Sequence, residues 1–241
     1  MGGIAVWLKK DRSAFWLLGF ALAAALVKLV MLIPTTFILA PIIPAPDKEE
    51  TEAFHEFLFG PEYREMYGLA MYHAVLAGRA FMLALGEELL FRTLPLGLAI
   101  GLRRRSWIAV ALIVMLGVFT GAAAIDYVRE LGVVDRDPVI LATFGLVIIA
   151  CIFASAFTRS IAPIMGIVLS SAAIFAYAHH GWASVPLQGF GGVVLALVYL
   201  KAGGMKGRWV KGTWYATLTH TVYNMVLFEL TLYALVFGEF R

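Results

Sequence analysis

The sequence predicts an all-α integral membrane protein, a single bundle of about seven transmembrane helices (six to eight by length). Three observations carry that expectation. The chain of 241 residues is 61% hydrophobic and only 15% charged, with a mean hydropathy of +0.86, whereas a soluble domain carries roughly 25% charged residues. Its apolar residues fall into stretches that can each supply the about 20 residues a bilayer core demands. The segments between those stretches alternate in charge. Spans account for most of residues 1–241, so one multi-pass membrane domain is expected, with no separate soluble domain.

The first candidate span, 14–40, follows the basic "KKDR". Its apolar run is too long for a signal peptide, and it is expected to be retained. "MGGIAV" lacks the Ser or Thr of a myristoylation signal. The acidic segment 47–65 comes next. The second stretch, 67–101, is longer than one span needs, so it is expected to begin as an interfacial helix or to break near Pro95. "RRR" (Arg103 to Arg105) closes it. Spans three and four, 106–125 and 138–157, flank the acidic "DYVRELGVVDRD". Span five, 160–180, follows Arg159 and ends at "HHGW". Span six, 185–201, contains "GFGGV" (Gly189 to Val193), whose small residues allow close helix packing. The basic loop "KAGGMKGRWVKG" leads to span seven, 213–236. Lys and Arg mark the cytoplasmic side, so the N-terminus is expected inside and the C-terminus outside. Trp107, Trp182, Trp209 and Trp214 stand near span ends, as interfacial aromatics do. Cys151 is the only cysteine, which excludes an internal disulfide. The net charge of +3 is spread over loops and gives no argument for nucleic acid.

Few polar side chains fall inside the spans: Lys28, Arg79, Glu87, Glu88, Arg92, His179, His180, His220, Asn224 and Glu229. A charge near a helix centre costs about 2.5–3.5 kcal/mol on insertion scales, so such residues face a cavity or a partner. Lys28 reads as a snorkelling side chain or a partner for a neighbouring helix. Arg79 reads as part of an amphipathic start to span two, and Glu229 as reaching the headgroups. The stretch "LALGEELLFRTLPL" (83–96) is richer. Glu88 and Arg92 are four apart, share a helix face and can pair. Glu87 stands about 100° further round the helix and has no local partner. A desolvated carboxylate of that kind suits a general base.

His220 and Asn224, in "LTHTVYNMV", also share one helix face, and His179 and His180 close span five. A buried structural cluster is the bland reading. Three separate spans, each contributing Glu, His or His with Asn, favour a shared site. No Walker spacing, H-E-x-x-H helix or G-x-S-x-G elbow is present.

These residues match three motifs in order. "EELLFR" fits E-E-x-x-x-R, "FAYAH" (Phe175 to His179) fits F-x-x-x-H, and "HTVYN" fits H-x-x-x-N. Together they resemble the CPBP family, the CAAX prenyl endopeptidase and bacteriocin-processing proteases, also called the ABI family. The similarity runs from residue 86 to 241. It implies an intramembrane glutamic endopeptidase in which Glu87, with His179, activates a water. His220 and Asn224 would hold the oxyanion, while Glu88 and Arg92 would fix the first motif helix and tune Glu87. It also implies a protein or peptide substrate at the membrane, no cofactor, and a place in the cytoplasmic membrane of a prokaryote. The chain departs from the family at Thr93, where Gly commonly follows the motif arginine, and in two extra spans between Glu87 and His179.

Other readings use the same residues. Glu87, His179 and His220 are adequate zinc ligands, which would make a metallopeptidase. A non-proteolytic scaffold, immunity protein or proton-coupled carrier is the alternative of another class. Drawn as straight rods, Glu87 and His220 fall toward the cytoplasmic half and His179 toward the outer end of span five. The expected offset is on the order of 10 Å.

Overall fold

In the computed structural model, residues 2–39, 61–130, 138–180 and 184–238 are described, and every regular element among them is helical. A short α1 (Gly2–Lys9) precedes α2 (Ala14–Leu39). α3 (Pro61–Glu88) continues through a π-helical turn, Leu89–Thr93, into α4 (Leu94–Arg103). Then come α5 (Trp107–Glu130), α6 (Pro138–Phe157) and α7 (Ala162–His180). A second π-helical segment, Val185–Gly189, leads into α8 (Phe190–Ala202), and a 3₁₀ turn, Gly204–Lys206, precedes α9 (Trp209–Gly238). The acidic segment 47–60, Trp182 and the side chains of His180 and Glu229 lie outside the described residues.

The elements follow the predicted stretches closely, because each apolar run is long and ends at charge or glycine. On length and composition, α2, α6 and α7 are each able to cross a membrane, while the apolar parts of α5 and α8, Trp107–Phe119 and Phe190–Ala202, are shorter. Large apolar side chains cover the outside: Phe15, Ile108, Phe119, Val139 and Phe157 are all more than half exposed. A surface this apolar fits lipid better than water.

α8 lies at the centre. Nine of its thirteen residues are buried, and it packs against α2, α7 and α9. α9 also packs on α2 and α3, and the α5–α6 pair lies outside, against α4 and α7. The main apolar core joins Leu96, Ala99 and Ile100 of α4 to Ile164, Ile167 and Val168 of α7, with Tyr199 and Leu200 of α8. Leu8 of α1 caps it.

The basic loops gather at one end of the bundle. Arg103 donates to the carbonyls of Arg159 and Ser160, the latter at 3.2 Å. Lys201 donates to the carbonyls of Trp7 and Lys10, and Lys206 pairs with Asp11. The loop that carries Lys206 bends at Gly203 (φ 152°) and Gly207 (φ 76°), a backbone conformation that favours glycine.

The break in the second stretch falls before Pro95, over Leu89–Thr93. Proline has no N–H and its ring clashes with the carbonyl four residues back, here Phe91. The helix widens there: the Leu94 N–H reaches the carbonyl of Leu89, five residues back. Thr93, the departure from the family's glycine, is buried in this turn, and its hydroxyl lies 2.6 Å from that of Thr213. Thr213 donates to the Trp209 carbonyl, so Thr93 is the donor between the two hydroxyls. The pair ties the widened turn to α9.

Candidate active site

The site is built where α3 ends, α7 ends and α9 completes its third turn. The expected 10 Å offset does not occur. Measured from the basic end at 1.5 Å per residue, Glu87 lies about 24 Å above Arg103 and His179 about 25 Å above Ala162. α9 starts at Trp209, four residues earlier than the predicted span, which sets His220 about 16 Å deep on the same scale. On this count Glu87 and His179 are level while His220 falls about 8 Å short, yet its Nε2 stands 3.4 Å from Glu87, so the helix starts do not share one depth.

Glu88 and Arg92 pair as their spacing predicts, with Nη1 to Oε1 at 3.3 Å and both side chains fully buried. Glu88 also accepts from His220, Nδ1 to Oε1 at 2.9 Å. Glu87, with no local partner, meets two imidazoles from distant helices. Its Oε1 stands 3.6 Å from Nε2 of His179, and its Oε2 stands 3.4 Å from Nε2 of His220. Glu87 and His179 keep 24% and 30% of their side-chain exposure, whereas His220 keeps 3%. The cluster is therefore open on the Glu87–His179 side and closed behind His220.

The hydrogen bonds also decide which nitrogens are basic. His179 Nδ1 lies 2.7 Å from the carbonyl oxygen of Phe175. A carbonyl only accepts, so Nδ1 carries the hydrogen and Nε2 is left as the basic nitrogen. In the same way, His220 Nδ1 donates to the Glu88 carboxylate. Both basic Nε2 atoms then face Glu87. Four acceptor atoms, the two carboxylate oxygens and two imidazole nitrogens, converge on one spot, where a water or a transferable proton can serve at most two of them.

Phe175, four residues before His179, is the hub that holds these groups in place. It is wholly buried, with His179 at 4.5 Å and His220 at 5.9 Å between ring centroids. The Arg92 guanidinium sits 4.3 Å above its ring, a cation–π contact, and Phe91 meets it edge-on at 5.3 Å. Asn224 lies one turn beyond His220 on α9 and is part-buried.

Of the two expectations for Lys28, the structure favours a partner for a neighbouring helix over a snorkelling side chain. It does not snorkel: it is 1% exposed, with its ammonium 3.6 Å over the ring of Tyr223. A signal for this existed. Leu17, Ala21, Ala24, Ala25 and Lys28 are buried at helical spacing on α2, while Leu18, Leu22, Leu26 and Val30 are exposed. The lysine continues the inward stripe.

A groove of about 680 Å³ opens between Leu85 and Leu89 on one side and Trp209 and Trp214 of α9 on the other, with Arg208 and Lys211 at its rim. Leu85 and Leu89 stand two residues to either side of Glu87 and so point to the other face of α3; neither Glu87 nor the two histidines lines the groove. No cluster of three or more His, Cys, Asp or Glu suited to a metal ion occurs among the described residues. Comparison with protein-family models, with curated proteins and with solved structures finds no match.

Proposed function

We propose that this chain is a glutamic endopeptidase of the CPBP type, acting within the membrane on a peptide bond of a membrane-associated or lipid-anchored protein or peptide. One observation carries the reading: the two oxygens of Glu87 face the basic Nε2 atoms of His179 and His220, at 3.6 and 3.4 Å. A carboxylate so placed takes a proton from a water, with His179 orienting that water through Nε2. The hydroxide attacks the scissile carbonyl and forms a tetrahedral oxyanion. Donors for that oxyanion come from α9: the amide of Asn224, and His220 when Nε2 is also protonated. Glu88, bound to Nδ1, offsets the imidazolium charge in that form. Collapse of the intermediate breaks the C–N bond, and the proton held by Glu87 passes to the leaving amine.

The surrounding architecture is proposed as seven spans with the N-terminus in the cytoplasm. The gathering of Arg103, Arg159, Lys206 and the N-terminal basic residues at one end supports it.

The test maps protein termini by mass spectrometry in cells carrying the native chain or Glu87→Gln at equal membrane abundance. Termini found only with the native chain support proteolysis and name the substrate. Identical maps, with any cellular phenotype kept by the variant, would replace the enzyme with a scaffold. Adding a chelator, with metal analysis of the purified protein, decides between this scheme and zinc on Glu87, His179 and His220.

A further inference from the structure

The groove beside α9 lies apart from the cluster at Glu87, and the proposed chemistry makes no use of it. Its walls are apolar. Leu85 and Leu89 form one side, and Val210 and Trp214, 62% and 52% exposed, form the other. Phe81 of α3 meets Trp214 edge-on at 5.9 Å and links the two walls. From Arg208 to Trp214 the α9 side rises about 9 Å. The hydroxyl of Thr213, which also lines the groove, is already engaged, donating to the Trp209 carbonyl and accepting from Thr93. A peptide laid here would find few partners for its amides, a costly loss away from water. An acyl chain asks for none.

The rim has the opposite character. Arg208 and Lys211 stand there, at the basic end of the bundle. Arg208 is 58% exposed, and its Nη1 lies 3.6 Å from Asp11, a carboxylate that Lys206 already holds. Lys211 makes no hydrogen bond or ion pair among the described residues. One carboxylate thus faces three cations, and positive charge is left over at the mouth of an apolar slot. A smaller cavity of about 220 Å³ shares Gly207 and Trp209 with the groove and adds Arg104, Ser106 and Lys206. Every charged side chain that lines either space is a cation.

We infer that the groove binds one anionic phospholipid from the leaflet at the basic end. Its phosphate sits between Arg208 and Lys211, and an acyl chain follows Leu85, Leu89 and Trp214. A guanidinium fork beside an ammonium suits a phosphodiester, since the first gives paired hydrogen bonds and the second a mobile point charge. Basic pockets between membrane helices recognise anionic headgroups in this way. Val210 and Trp214 belong to the apolar outer surface, so a lipid tail enters from the side without crossing a polar barrier. Leu89 opens the π turn that carries Arg92, and a bound lipid therefore braces that turn. The site stands independently of the proposed proteolysis.

The experiment titrates full-length protein in a neutral detergent with dioleoyl phosphatidylglycerol or dioleoyl phosphatidylcholine, and native mass spectrometry counts the lipids retained. The native chain holds one phosphatidylglycerol with about 30-fold preference, the effect of two cations at a membrane surface. Arg208→Gln/Lys211→Gln abolishes the preference. Lys9→Gln/Arg105→Gln removes the same charge from the same end outside the groove and keeps it. Asp11→Asn releases Arg208 from its carboxylate and binds at least as tightly, which separates the lipid contact from the pairing that holds α1. Leu85→Trp fills the slot and weakens phosphatidylglycerol binding with both cations in place. Should it not fold, Val210→Trp fills the slot from the exposed wall. A preference that outlasts the rim variant, or falls equally in Lys9→Gln/Arg105→Gln, would overturn the site and leave diffuse surface charge. Unchanged binding in the slot-filling variant would place the acyl chain elsewhere and overturn it too. So would equal retention of both lipids, or a lipid-free dimer that Leu85→Trp dissociates, which would give the slot to a second copy of the chain.

Discussion

Each imidazole in the cluster has one nitrogen assigned by its partner, and that assignment decides what a substitution does. Replacing His179 removes the basic nitrogen on the open side of Glu87, so His179→Ala is expected to lower turnover about 10²–10⁴-fold, the range of acid–base catalysis. Asn224→Ala should cost about 10²–10³-fold in kcat, the loss of one oxyanion donor, with little change in KM. Steady-state kinetics on a substrate found by terminus mapping checks both, and an Asn224→Ala enzyme impaired only in KM would remove the oxyanion role. The ion pair of Glu88 with Arg92 and the absence of a partner for Glu87 on its own helix were legible in the sequence, because helical spacing alone decides which side chains share a face. For Lys28 two readings stayed open because it was weighed as a single charge in a span. Its burial follows from the stripe it completes with Leu17, Ala21, Ala24 and Ala25.

At the level of helices, the spans were legible and the joints between them were not. Hydropathy marks where a helix can run, so α2, α6 and α7 fall within a few residues of expectation. It carries no trace of a hydrogen-bond register. Pro95 signals a break, but the widening lies upstream of it, over Leu89–Thr93. The small-residue string of α8 was read as close packing. Gly192 bears that out against Ala172 of α7, while Gly191 makes room for the Lys28 side chain. A methyl group at Gly192 would meet the Ala172 backbone at 3.0 Å as well as Arg92, and backbone cannot step aside. Gly192→Ala is therefore expected to destabilise by about 1–3 kcal/mol, as overpacking does, and to displace Arg92. Gly145→Ala, where a Cβ meets nothing within 4 Å, is the control. Thermal unfolding of the two variants in one lipid mixture makes the comparison, and equal midpoints would refute the tight seat.

Across the whole molecule, the basic end is where the chain's remote parts are fastened. α1 is held to the rest through Asp11, which pairs with Lys206 and Arg208. The hydrogen bond from Lys206, with the positive charges of Lys206, Arg208 and Lys211, holds the Asp11 carboxyl below its usual value of 3.8. A lowered carboxyl contributes above its ordinary titration range and loses that contribution as pH falls through the lowered value. Asp11→Asn should therefore speed amide exchange in α1 at pH 7 and match the native chain in strong acid, with high salt erasing part of the difference at neutral pH. Equal exchange at pH 7 would show that Leu8 packing and the Lys201 hydrogen bonds to Trp7 and Lys10 anchor the helix without Asp11.

The clasp of Arg103 on Arg159 and Ser160 has a different consequence. It brings together the start and finish of the α5–α6 excursion, so that hairpin leaves and rejoins the bundle at nearly the same point, as inserted units commonly do. None of the residues that meet at Glu87 comes from it. A shortened chain that bridges 105 directly to 159 would remove two helices, which under the proposed seven-span architecture leaves the orientation of α7, α8 and α9 unchanged. It should still assemble the cluster, as a minimal core from which the hairpin has been excised.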